Sequence, residues 1–201
     1  MNFNRKEGRC GRVFLAGMLF LLMTGCAGKK RERPLITLTE KAPPRVCRIA
    51  VLPFQNQTKY PAAGLMLYRI FMAELANYTD FHAVEEGEIR RILLRGKVYP
   101  GQTISPDIRE MIVKATGVDA LLSGEVQEAA EERGWVHLAF SLRVREAKTG
   151  RLLWTTYYAR NGEDYRKVMH FGTIDTLSGL AKRMLDDVLE NWHEKGLGGC
   201  Q

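Results

Sequence analysis

Four cysteines and four histidines are the residues of this chain that could most readily bind a metal or take part in catalysis. The histidines are scattered, and neither residue type shows the close His-x-x-x-His or Cys-x-x-Cys spacing that is typical of zinc sites. The chain also lacks a Gly-x-Ser-x-Gly elbow, a Walker loop and a Gly-x-Gly-x-x-Gly turn. The sequence therefore predicts no metal site, no cofactor and no enzyme activity. One alternative is a catalytic set of distant residues, such as Asp119, Ser123 and His137, although their alternation already places them in strands.

Cys26 follows a segment with the composition of an export signal. Four basic residues precede the apolar run Val13–Met23, whose 11 residues are fewer than the roughly 20 that a spanning helix needs. Small residues surround the cysteine, as a signal-peptidase cleft requires. These features predict a cleaved signal over residues 1–25 rather than a permanent membrane helix.

Leu22-Met-Thr-Gly-Cys26 resembles the lipobox of bacterial lipoproteins. The resemblance implies that Cys26 becomes the first mature residue and carries acyl chains such as palmitate. Ala27, where inner-membrane lipoproteins of enterobacteria carry Asp, implies the outer membrane. The alternative is an ordinary secretory signal with an incidental cysteine.

Most of the positive charge lies before the predicted domain. The chain carries a net charge of +7, but residues 46–201 contain 20 basic and 20 acidic residues. A neutral domain argues against binding to nucleic acid through phosphates. Residues 26–45 read as a proline-containing tether, in which four basic residues face either anionic head groups or solvent. These residues are Lys29, Lys30, Arg31 and Arg33.

Cys47 and Cys200 are the other thiols of the predicted mature chain. In an exported protein they could form a disulfide, which would close a loop of about 150 residues. The glycine-rich segment before Cys200 gives no geometric support for this pairing. The sequence alone therefore slightly favours two unpaired thiols, the second on a flexible tail over residues 197–201.

Residues 46–196 predict one mixed α/β (α+β) domain. The apolar run Val46–Phe54 indicates a buried strand that ends at Pro53, and Val136–Val144 alternates like a half-buried strand. Lys148-Thr-Gly150 would turn this strand back into Leu152–Ala159 as an antiparallel hairpin. With the amphipathic stretches between and after them, the predicted order is β-α-β-α-α-β-β-β-α, a mixed sheet covered by helices.

Aromatic residues cluster on this predicted hairpin. Tyr157 and Tyr158 are adjacent, so a regular strand directs them to opposite faces and leaves one accessible. Exposed aromatic side chains often anchor protein partners. Trp135, Trp154, Tyr157 and Tyr158 are therefore candidate partner-binding residues, and the alternative is that they pack in the core.

Several stretches resemble one superfamily of bacterial envelope proteins. The opening strand of that superfamily is similar to Ile49-Ala-Val-Leu-Pro-Phe54 and the Gln-Asn-Gln-Thr loop after it. A helix end that leads into a strand is similar to Ala115–Glu125, and the hairpin is similar to Leu142–Trp154. The superfamily includes the curli-secretion lipoprotein CsgG, the penicillin-binding-protein activator lipoprotein LpoB and the N-terminal domain of TolB. The resemblance covers most of residues 47–160 and implies a non-enzymatic domain that binds envelope proteins.

We therefore expect a lipid-anchored lipoprotein on the periplasmic face of the outer membrane that docks partners in envelope assembly or secretion. The resemblance also allows a homo-oligomer, because CsgG-like domains form rings. The alternatives are a periplasm-facing enzyme acting on cell wall or polysaccharide, a small-ligand-binding domain and a CsgG-like pore subunit. A pore would require the 135–160 hairpin as its wall, although the same hairpin is the best candidate for the core.

Overall fold

Seven strands and four α-helices form the part of the chain that the computed structural model describes, residues 32–99, 102–167 and 172–200. The strands are β1 (Leu35–Leu38), β2 (Arg48–Val51), β3 (Gln55–Asn56), β4 (His82–Ala83), β5 (Ala120–Glu132), β6 (Trp135–Glu146) and β7 (Leu152–Asn161). The α-helices are α1 (Ala63–Leu75), α2 (Glu86–Arg95), α3 (Pro106–Thr116) and α4 (Leu177–Glu194), and a short 3-10 helix spans Gly162–Tyr165. The predicted mixed sheet with covering helices is confirmed.

All seven strands belong to one sheet with the order β1-β7-β6-β5-β2-β4, and β3 also pairs with β5. The pairs that β2 makes with β4 and β5 are parallel, because helices connect these strands. The pairs β5–β6, β6–β7 and β7–β1 are antiparallel. The sheet thus has a parallel part, which ends in helix-bearing loops, and an antiparallel part made of long hairpins.

Two layers of helices cover the sheet. On one face α1 and α4 pack against the larger core cluster, in which Trp154, Trp192 and Phe140 are fully buried. On the other face α2 and α3 cover a smaller cluster that includes Ala50, Leu52 and Leu121. No helix of the described residues is both long and apolar enough to cross a membrane.

The limits of α3 follow from its end residues, as the sequence predicts. Ser105 precedes it in an extended conformation and accepts a hydrogen bond from the backbone N–H of Ile108 at 3.4 Å, and Pro106 occupies the first turn. Gly117 ends the helix with a φ of 64°, which a residue with a Cβ atom adopts only at a cost.

The predicted tether over residues 26–45 is wrong in its second half. Leu35–Leu38 forms β1, an edge strand whose Leu35 lies opposite Tyr157 and whose Leu38 lies opposite Trp154. Pro34 is buried, and the compact unit begins at Arg33. A four-residue strand that pairs mainly through its backbone on one side is too short to leave a periodic pattern in the sequence.

The predicted flexible tail is also wrong for the described residues 197–200. The backbone N–H of Val46 donates to the carbonyl of Leu197 at 3.0 Å, and that of Gly199 donates to the carbonyl of Val46 at 2.9 Å. Glycine permits this close approach, because a Cβ atom at Gly198 would lie 2.3 Å from the Cβ of Asp80. The tail is therefore packed beside the start of β2, and a disulfide joins Cys47 to Cys200. The unpaired state that the sequence slightly favoured is not the state in this structure.

Candidate functional site

A wide recess lies at the carboxyl end of β2. Open α/β sheets commonly bind ligands at this position, where the loops after parallel strands diverge. The recess is a groove of about 990 Å³ between the α2–α3 layer and the sheet. Leu52–Asn56, the start of α1, one face of α2, the loop after α2 and the middle of β5 line it. We call it the α2 groove.

Three large apolar side chains of the α2 groove remain accessible to solvent. Leu65 of α1, Leu94 of α2 and Tyr99 of the following loop are 51%, 65% and 66% exposed. Proteins that act without a binding partner rarely expose several large apolar side chains together. Their presence in one groove therefore indicates a contact surface.

The floor of the α2 groove depends on one close contact. Phe54 follows the strand that resembles the superfamily's opening strand, and its ring lies over Gly124 of β5, where a Cβ atom would come within 2.6 Å of it. The same ring packs edge-on against Tyr68 of α1, with centroids 5.7 Å apart. Burial, followed by the charge of Glu86, raises the pKa of Tyr68 to about 12, so its phenol is neutral and can donate a hydrogen bond.

Four arginines and one glutamate line the α2 groove and make it electropositive. Arg90 pairs with the lining Glu86, and Arg143 Nη2 pairs with Glu125 Oε2 at 3.0 Å. The other two arginines, Arg109 and Arg145, converge on the β6–β7 turn.

Arg145 Nη1 donates to the carbonyl of Gly150 at 3.1 Å. The guanidinium of Arg109 lies so close to Gly150 that a Cβ atom there would be 2.3 Å from Nη1. Within the described ranges, no carboxylate forms an ion pair with Arg109 or Arg145. Their charge is therefore available to an acidic ligand or peptide.

The lining of the α2 groove is chemically mixed. Hydroxyl, amide, guanidinium and apolar groups are present, whereas no described lining residue is a histidine, cysteine, aspartate or lysine. The suggested catalytic set is not assembled here either. Asp119 accepts hydrogen bonds from the backbone of Cys47 and Arg48. His137 pairs with Ala130 on β5, seven positions from Ser123 and thus roughly 20 Å away.

The four candidate aromatic residues divide into two pairs. Trp135 and Tyr157 are 48% and 44% exposed, and Trp135 stacks on His137. Trp154 and Tyr158 are buried on the face covered by α4, where Tyr158 donates to Asp187 Oδ2 at 3.1 Å. Trp154 and Tyr158 thus pack in the core and do not present a surface to a partner. The opposite orientation of Tyr157 and Tyr158 agrees with strand alternation.

Of the residues assigned to the membrane surface, only Arg33 lies in the described part of the chain. Its Nη1 donates to Glu194 Oε2 of α4 at 2.6 Å, so this side chain contacts the last helix. Both side chains are largely exposed, and such an ion pair contributes little to stability. The lipidation residue Cys26 and the basic residues Lys29, Lys30 and Arg31 lie outside the described residues.

Sequence reasoning missed the α2 groove, although one signal for it was present. Leu65 and Leu94 lie off the apolar stripes that predict the buried faces of their helices. Single exposed leucines are common, and it is their convergence on one groove that indicates a contact surface.

Comparison with known proteins gives the fold. No family model and no curated protein matches the chain. Among solved structures, it is similar to the PelC dodecamer from Paraburkholderia phytofirmans, with a TM-score of 0.51 and 16% identity over 83% of this chain and 100% of that one. It is equally similar to lipoprotein GNA1162 from Neisseria meningitidis, with a TM-score of 0.50 and 17% identity over 74% of this chain and 99% of that one.

The C-terminal domain of LpoB from Salmonella enterica also matches, with 16% identity over 57% of this chain and 82% of that one. Its TM-score of 0.43 is too low to support an inference. The chain therefore has the fold of PelC and of the Neisseria lipoprotein.

Proposed function

We propose that this protein is a non-catalytic, lipid-anchored lipoprotein of the bacterial outer membrane that docks envelope proteins through the α2 groove. The observation that carries the proposal is the combination of an exposed apolar wall with two arginines that have no carboxylate partner in the described residues. An acidic segment with large apolar side chains complements such a surface in both charge and chemistry.

The fold and the N-terminal motif support the same proposal. The chain shares its fold with the Neisseria lipoprotein, and Cys26 lies in a lipobox-like segment. A domain that is anchored to the outer membrane can reach partners in the periplasm. Basic residues after Cys26 would then lie close to anionic head groups.

Copies of the chain are one partner that the proposal includes. PelC, which has this fold, is described as a dodecamer. The exposed Trp135 and Tyr157 and the edge strand β1 provide further contact area outside the groove. Closed rings form when one surface of a subunit binds a different surface of the next.

In-cell photo-crosslinking tests the proposal directly. A photo-reactive amino acid replaces Leu94 in the groove or, as the control, Met111, an exposed apolar residue of α3 that does not line the groove. We expect discrete adducts from position 94 that contain an envelope protein or a second copy, and far fewer from position 111. Equal, diffuse labelling from both positions would contradict docking in the groove.

Labelling with radioactive palmitate tests the anchor. The native chain should incorporate the label and fractionate with outer membranes, whereas Cys26→Ser should do neither. Palmitate labelling without photo-adducts from position 94 would support the lipid anchor and contradict docking in the groove. The two experiments therefore test the two parts of the proposal separately.

A further inference from the structure

Three potential metal ligands meet at the end of the sheet opposite the α2 groove. Cys47 precedes β2, His82 lies on the neighbouring strand β4, and Cys200 belongs to the packed tail. The two sulfur atoms and a ring nitrogen of His82 all lie within 4.8 Å of one another. This cluster could not be predicted from the sequence, because its members are far apart in the chain. They come together through the parallel pairing of β2 and β4 and through the packing of the tail beside them.

The backbone holds each of the three residues in place independently of the disulfide. The N–H of Cys47 donates to Asp119 Oδ2 at 3.1 Å, and the N–H of His82 donates to the carbonyl of Cys47 at 2.8 Å. The N–H of Cys200 donates to the carbonyl of Asp80 at 3.0 Å. The buried Leu197 also anchors the tail. Breaking the S–S bond therefore leaves two thiols side by side next to an imidazole.

We propose that the reduced form of this cluster binds a thiophilic cation such as Zn²⁺ through Cys47, Cys200 and His82. A dithiol reductant supplies two electrons and two protons to the S–S bond, which yields two thiols while the dithiol is oxidised to its own disulfide. Binding of Zn²⁺ then releases both thiol protons, and the cation takes two thiolates and one neutral imidazole. A water molecule completes the tetrahedral set.

The ligand positions suit this coordination. Zinc–ligand bonds of about 2.0 to 2.3 Å in a tetrahedral site separate the ligand atoms by about 3.5 to 3.8 Å. In the observed arrangement the three ligand atoms lie within 4.8 Å of one another. His82 is exposed and makes no side-chain hydrogen bond among the described residues, and both cysteines are only partly buried, so reductant and cation have access. The disulfide and the metal exclude each other, which makes the site redox-dependent.

Zinc binding to the purified full chain tests the proposal. The protein is reduced with a water-soluble phosphine, which takes oxygen from water to form its oxide and does not compete as a thiol ligand. Native mass spectrometry and competition with a chromophoric chelator then measure binding of Zn²⁺. Absorption of the Cd²⁺ form reports thiolate coordination.

We expect one Zn²⁺ per reduced chain, none per oxidised chain, and an increase in the Tm of the reduced chain on zinc addition. His82→Ala should weaken binding at least tenfold, whereas the matched control His137→Ala should leave it unchanged. Equal binding by the oxidised chain, an unchanged affinity in His82→Ala, or no binding and no rise in Tm for the reduced chain would overturn the proposal. None of these outcomes depends on the docking function, because the cluster and the α2 groove are at opposite ends of β2.

Discussion

Trp192 donates its indole N–H to the hydroxyl oxygen of Thr156 at 2.9 Å, between two side chains that are fully buried. The neighbouring Trp154 packs edge-on against Trp192, with ring centroids 5.5 Å apart. Its own N–H finds no hydrogen-bond partner among the described residues. Two adjacent tryptophans therefore differ in one polar contact, which makes them a matched pair for experiment.

We expect Trp192→Phe to destabilise the protein more than Trp154→Phe, by about 1 to 2 kcal/mol. Both changes remove similar apolar volume, but only the first leaves a buried hydroxyl without its donor, and the second removes an unpaired donor. Urea unfolding of the two variants measures the difference. Thr156→Val combined with Trp192→Phe should recover part of the loss, and equal costs for both tryptophans would contradict the assignment.

Gly124→Ala should destabilise the protein by roughly 1 to 3 kcal/mol, because the new methyl group would overlap the ring of Phe54 in the floor of the α2 groove. The control is Gly87→Ala in α2, where a Cβ atom meets nothing within 4 Å. That change should be neutral or stabilising by up to about 1 kcal/mol, since alanine favours helix. Thermal unfolding distinguishes the two, and a neutral Gly124→Ala would show that Phe54 does not need this contact.

Loss of the disulfide should lower stability by about 2 to 5 kcal/mol while the fold persists. The tail keeps its backbone hydrogen bonds to Val46 and Asp80 without the S–S bond. We expect Cys47→Ser with Cys200→Ser to retain the native circular dichroism spectrum and to unfold at lower urea concentration than the oxidised protein. Detachment of the tail, detected as rapid amide exchange at Gly199, would contradict the packing described above.

Alkaline pH should destabilise the protein. Burial raises the pKa of Tyr68 to about 12. Burial and the adjacent Asp186 raise the pKa of Tyr78 to about 12. The pKa of Tyr165 is also raised, mainly by burial. A phenol with a raised pKa in the folded state binds its proton more tightly there than in the unfolded chain, where the pKa is about 10. The contribution is complete below pH 10 and is lost as the pH rises through 12.

Denaturant unfolding at a series of pH values, with phenolate absorbance in parallel, checks this expectation. Tyr165→Phe should flatten the alkaline decline. A free energy of unfolding that stays constant from pH 9 to pH 12 would contradict the assigned burial.

Reversal of the arginine charges should remove partner binding through the α2 groove. We expect Arg109→Glu with Arg145→Glu to reduce photo-adducts from position 94 by roughly tenfold or more, because like charges would then face an acidic partner. Arg69→Glu on the exposed side of α1 is the control. Adducts that survive the reversal unchanged would show that charge does not guide the contact.

The sequence predicted the parts of the fold whose pattern is local. Strand β6 alternates from Val136 to Val144, β7 follows the predicted turn, and α4 carries a long apolar stripe, so all three elements were predicted from the sequence. Strand β1 and the packed tail were missed because they are fixed by backbone pairing and by the small size of glycine, which composition does not distinguish from a linker.

The sites were harder to predict for a related reason. The α2 groove is assembled from separate helices, loops and strands, and the cluster of Cys47, His82 and Cys200 depends on which strands become neighbours. Strand order is a long-range property, and short motifs carry little information about it. The same limit explains why Trp154 and Tyr158 could not be separated from Trp135 and Tyr157 by position alone.

The incorporation of β1 into the sheet has a geometric consequence for an acylated Cys26. Only eight residues would separate that cysteine from Leu35, and such a segment spans at most about 30 Å when it is fully extended. A lipid attached to Cys26 would therefore keep the first residue of β1 within about 30 Å of the bilayer surface. A partner protein that is anchored in the inner membrane would then have to extend across the periplasm to reach this domain.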